Sequence, residues 1–125
     1  MKRTILLFVA TAITSAAMAE RQLNREEVLE TFTDVTFDGI YVPKNKHFVA
    51  YDAPDGTLHI LRPNGKRDEG RTWFVNGDGQ RCATNPKWSE ARCFDVTEAG
   101  DGVYHQYRNG EHLHILSNFR KGNHL

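Results

Sequence analysis

The chain has 125 residues, with 16 basic against 16 acidic side chains, two cysteines, ten glycines and four prolines. A chain of this length makes one domain with one core, and its glycines and prolines cut it into short pieces. The charges are balanced and dispersed, which excludes a basic stripe for nucleic acid and an acidic run for a polybasic partner.

Residues 1–19 read as a signal peptide. Lys2 and Arg3 form a positive head, residues 5–17 are apolar or small, and Ala17-Met18-Ala19 fits the small-x-small rule of signal peptidase. The apolar stretch is shorter than the roughly 20 residues of a membrane helix, so no membrane span is expected after cleavage at Ala19. The residue directly after that site is Glu20, not a cysteine that could carry a lipid. The expected mature chain, residues 20–125, is a single domain with 14 basic and 16 acidic residues. It belongs in the periplasm or outside the cell.

A short helix is predicted at 25–32. Asn24 is its cap and Glu27, three residues on, completes a capping box. Leu23 and Val28 form a hydrophobic staple, and Val28, Leu29 and Phe32 share a face. Thr31 and Thr33 extend a helix poorly.

Eight candidate strands follow, at 36–42, 46–52, 57–62, 70–75, 79–83, 91–97, 102–108 and 111–118. The breaks between them are turn formers, among them Pro54-Asp55-Gly56, Pro63-Asn64-Gly65, Asn76-Gly77-Asp78-Gly79 and Asn109-Gly110. Asx-Gly pairs favour turns that match strand twist. Short strands at this spacing predict an antiparallel meander, and eight of them close into a small barrel without exposed edges. The fold class is mainly β with one short N-terminal helix.

Cys82 and Cys93 are an even pair in an exported chain, which reads as one disulfide stabilising the fold by about 3 kcal/mol. The alternative is two free thiols that hold a metal. Between them lies Trp88, expected to pack over the bridge or the barrel mouth. Trp88, Tyr104 and Tyr107 are the candidate ligand-binding residues, although strand aromatics serve equally as core.

The letters LHIL occur twice, as Leu58-His59-Ile60-Leu61 and Leu113-His114-Ile115-Leu116. Strand alternation predicts that Leu58/Ile60 and Leu113/Ile115 point inward and both histidines outward. If Asn109-Gly110 is a two-residue turn, Tyr107 pairs with His112 and His105 with His114. Three imidazoles, His105, His112 and His114, then share one face. Such a cluster suits zinc or copper. The plainer reading is a solvated hairpin face, and no cofactor is required.

Catalytic motifs are missing. There is no Gly-x-Ser-x-Gly, Gly77-Asp78-Gly79 lacks the acidic spacing of a calcium loop, and Glu26, Glu27 and Glu30 suit a helix N-terminus. Arg62, Lys66, Arg67 and Arg71, interrupted by Asp68 and Glu69, read as a solvated loop.

The cadence of residues 51–57 (Tyr51-Asp52-Ala53-Pro54-Asp55-Gly56-Thr57), Gly65, Gly70, Thr72-Trp73-Phe74-Val75, Gly77-Asp78-Gly79, Cys82 and Arg92-Cys93-Phe94 resembles an uncharacterised family of small exported bacterial β-meander proteins. Gly110-Glu111-His112 and Gly122-Asn123 fit it too, so the resemblance spans 36–123. It implies a lipocalin-like or avidin-like scaffold with one disulfide and no catalytic residue. The chain is also similar to periplasmic inhibitors of secreted metalloproteases, but their protruding N-terminal arm is replaced here by a capped helix. The expectation is a small periplasmic non-enzymatic binding module whose partner is a small ligand or a periplasmic protein. A periplasmic metal-binding protein and an enzyme inhibitor are the alternatives.

Overall fold

A computed structural model describes residues 20–125; the expected signal peptide lies outside them. After the two-residue β1 (Arg21–Gln22), helix α1 runs over Arg25–Phe32. Its capping box is present: the Glu27 amide donates to Asn24 Oδ1 and the Asn24 amide to Glu27 Oε1, both at 2.9 Å. Two donors that a helix start leaves orphaned are thereby satisfied.

Eight strands then follow as a meander: β2 (Val35–Tyr41), β3 (Lys46–Asp52), β4 (Thr57–Leu61), β5 (Arg71–Val75), β6 (Arg81–Thr84), β7 (Arg92–Gly100), β8 (Val103–Arg108) and β9 (Glu111–Lys121). Each pairs antiparallel with the next, and β9 returns to pair with β2, so the sheet closes as an eight-stranded barrel. β1 lies along the stretch of β7 that extends past β6. All eight candidate strands are present. The Asn109-Gly110 turn takes left-handed backbone at both residues, φ 52° and 80°, as a type I′ hairpin requires. No described helix is long and apolar enough to cross a membrane.

Cys82 and Cys93 are direct cross-strand partners on β6 and β7, with Cα atoms 3.9 Å apart, and they form the expected disulfide. The bridge ties the base of the 85–91 loop, in which the Trp88 amide donates to the Asn85 carbonyl.

The barrel has two unlike ends. At one, α1 lies across the opening and buries Val28 and Phe32 completely. Phe32, Phe37 and Phe119 form an aromatic plug, their ring centroids 5.1 to 5.5 Å apart. The other end, ringed by the turns around 62–70, 85–91 and 109–110, is open to a cavity.

The second LHIL departs from expectation. Tyr107 does pair with His112, but Gln106 pairs with His114 and His105 with Ile115. Leu113 is an extra residue, a β-bulge, and it shifts every later residue of β9 by one. His114 and Leu116 therefore face inward, and Ile115 pairs with His105 on the outside. A second bulge at 118–119, with Asn118 at φ 54°, turns Phe119 into the core. The first LHIL behaves as predicted, with Leu58 and Ile60 buried and His59 stacked outside on Tyr51.

Candidate functional site

The open end of the barrel encloses a cavity of about 380 Å³. Its walls are inward residues of successive strands, including Phe48, Ala50, Leu58, Ile60, Ala83 and Phe94. Gly39 makes room for one of them: a Cβ there would sit 2.2 Å from the far end of the Phe48 ring, which only a bare backbone admits.

The floor is a buried polar chain. The Arg81 guanidinium donates to both Asp52 carboxylate oxygens, Nε to Oδ2 at 2.7 Å and Nη2 to Oδ1 at 2.6 Å. It also packs on the Phe32 and Phe37 rings, at 4.9 and 5.2 Å. Arg81 Nη1 donates to Gln106 Oε1 at 3.2 Å. Because guanidinium only donates, this bond fixes the amide orientation, and Gln106 Nε2 donates to His114 Nδ1 at 3.0 Å. His114 in turn must carry its proton on Nε2, which has no protein acceptor among the described residues.

Burial pushes the His114 imidazole down to about 4, and the nearby Arg81, Arg71 and His112 add to the effect. At neutral pH it is an uncharged donor framed by Tyr41, Phe48 and Phe94, with centroids 5.1 to 6.1 Å away. Full burial pushes the Asp52 carboxyl up, against the opposing pull of Arg81.

The mouth is cationic. Arg62 reaches Asp68 through Nε at 3.0 Å and Nη2 at 2.6 Å, and Arg71 Nη1 shares the same carboxylate at 2.9 Å. The Arg62 bonds lead in holding Asp68 below the usual carboxylate range. Arg71 and Arg92 both place their guanidinium carbons over the Trp88 ring, at 4.9 and 3.9 Å. Of the basic residues expected to form a solvated loop, Lys66 and Arg67 are exposed, whereas Arg62 and Arg71 meet Trp88 and Arg92 at one opening.

Of the candidate ligand residues, Trp88 alone lines the cavity. Tyr104 packs at the plugged end, 5.1 Å from the Phe119 ring. Tyr107 points outside and donates to Glu20 at 3.0 Å. His105 and His112 are neighbours on that outer face, ring centroids 4.3 Å apart, with Glu20 at 3.0 Å from His105 Nδ1. The bulge removes His114 from them, so the three-imidazole cluster is not assembled. No three His, Cys, Asp or Glu side chains converge as an ion site among the described residues. Outside the barrel, a Thr97 hydrogen bond leads in lowering the Glu20 carboxyl, and Tyr107 and His105 reinforce it.

Sequence reasoning passed over Arg81 and Gln106 and placed His114 on the outer face with His105 and His112, since the meeting of the three depends on strand registers. A weak signal was present: Arg62, Arg71, Arg81 and Arg92 recur at nearly the strand spacing. Comparison with protein families, with curated proteins and with solved structures yields no match to this chain.

Proposed function

We propose that this chain is an exported, non-enzymatic binding protein that takes a small, partly apolar molecule into the open end of its barrel. One observation carries the reading: an apolar-walled cavity of about 380 Å³ opens at one end only, because α1 and three phenylalanines fill the other. Its volume falls at the small end of the roughly 300–1,000 Å³ of ligand sites. Enclosure under a polar mouth is the usual plan of such sites. Export is supported by the disulfide, which persists in oxidising compartments, and by the composition of residues 1–19. Among the described residues no protruding arm supports the inhibitor alternative, since residues 21–32 lie docked along β7 and across the barrel.

Titration with the neutral fluorophore N-phenyl-1-naphthylamine tests the proposal. Oxidised wild-type protein should bind one equivalent saturably. Ala83→Leu, which fills the cavity from its wall, should fold with the same circular dichroism and bind at least ~10-fold more weakly. Absence of saturable binding by the wild type, or undiminished binding by the variant, rejects the reading.

A further inference from the structure

Granting that the cavity binds a ligand, we infer that this ligand is a small organic acid: a single ring or short chain bearing one anionic head, held by Arg71 and Arg92 beside Trp88. The cavity is lined by six cationic side chains, Lys46, Arg62, Arg71, Arg81, Arg92 and Arg108, against one carboxylate, Glu111. Arg81 is neutralised by Asp52, and Arg62 and Arg71 divide Asp68 between them. Lys46, Arg92 and Arg108 make no ion pair among the described residues. The imbalance therefore sits at the mouth.

Arg71 supplies a second, independent observation. It is only 8% exposed, yet its Nε–H has no acceptor. A buried donor left unmade costs about 1–3 kcal/mol, which an incoming anionic oxygen can recover. Arg71 and Arg92 both lie over the Trp88 ring, at 4.9 and 3.9 Å, which brings their guanidinium groups together at the mouth. Guanidinium groups suit carboxylate or phosphate oxygens. A cationic guest would meet like charge at the mouth. A bare inorganic anion would gain nothing from Phe48, Leu58, Ile60 and Phe94 below it. An apolar body with an acidic end satisfies both layers.

The test is competition for the bound naphthylamine probe by octanoate, octyl phosphate, octanol and octylamine, on wild-type protein and on Arg92→Gln. Arg92 makes no hydrogen bond to another described side chain, so its replacement should leave the fold intact. Octanoate or octyl phosphate should displace the probe at least ~10-fold more tightly than octanol, with octylamine weakest. The order of the two acids names the head group. Arg92→Gln should lose most of that preference, read as the ratio of acid to octanol affinity within the variant. Equal displacement by acid and alcohol, or an unaltered acid preference in Arg92→Gln, overturns the inference and leaves the binding reading standing. Failure of the probe to bind at all rejects the binding reading itself.

Discussion

The two LHIL strands carry the same four residues and present the histidine and isoleucine oppositely. In β4 the leucine and isoleucine face the core and His59 stacks on Tyr51 outside. In β9 the histidine faces the cavity and the isoleucine lies outside. The composition is identical, so the cause is position along the ladder. One inserted residue, Leu113, reverses the faces. A strand's pattern states which residues alternate; the partner's register decides which set is inside. The polar partners agree with the outcome, since Gln106 on β8 is the neighbour that gives an inward imidazole a hydrogen bond.

The most damaging way to break this contrast is to cut the chain that supports His114. Asp52→Ala strands the Arg81 guanidinium in the core. It should cost about 3–5 kcal/mol in urea unfolding, and a loss below about 1 kcal/mol would mean the pair is not buried as described. Next in size, Ile60→Ala should cost about 2–5 kcal/mol, whereas Ile115→Ala should cost under about 1 kcal/mol. Equal costs would put both isoleucines on the same side of the barrel.

The histidines then separate by acid. His114 has a folded pKa of about 4, below its ordinary 6.5, so the unfolded chain takes up the proton first. The stability is complete above about pH 6.5 and declines towards pH 4, by up to about 3 kcal/mol. His114→Leu should remove that part of the acid sensitivity in melting curves at pH 7 and pH 4.5, and His59→Leu should not. The smallest effect belongs to deletion of Leu113. Tyr107 stays opposite His112 and Gln106 opposite His114, so the ladder becomes regular with the histidine still inside. The expected cost is at most about 2 kcal/mol, and the imidazole should still titrate near 4 by NMR. Titration near 6.5 would show that the bulge itself holds the ring in place.

Much of the scaffold was legible because it is written locally. Asn24 and Glu27 announce α1, Asn109-Gly110 announces its hairpin, and an even cysteine pair announces the bridge. The site was not legible, because it is written across strands. Asp52, Arg81, Gln106 and His114 come from β3, β6, β8 and β9, and only closure of the ring brings them together. The bulges at Leu113 and Asn118 have no unambiguous local mark. The cationic mouth was hidden as well: a nearly neutral chain gathers Arg62, Arg71, Arg92 and Arg108 at one opening, which net charge cannot report.

Sealing of the barrel by β9 against β2, with Lys121 opposite Val35, has a consequence for how the molecule is made. The first strand of the ring waits unpaired on one side until the last is available. Until then each end of the meander exposes a row of backbone groups open to other chains. Closing contacts this distant in sequence form slowly, so the hazard is aggregation before the ring is complete. The covalent clip between β6 and β7, which joins residues only 11 apart, can form early and hold the middle of the sheet while the ends find each other.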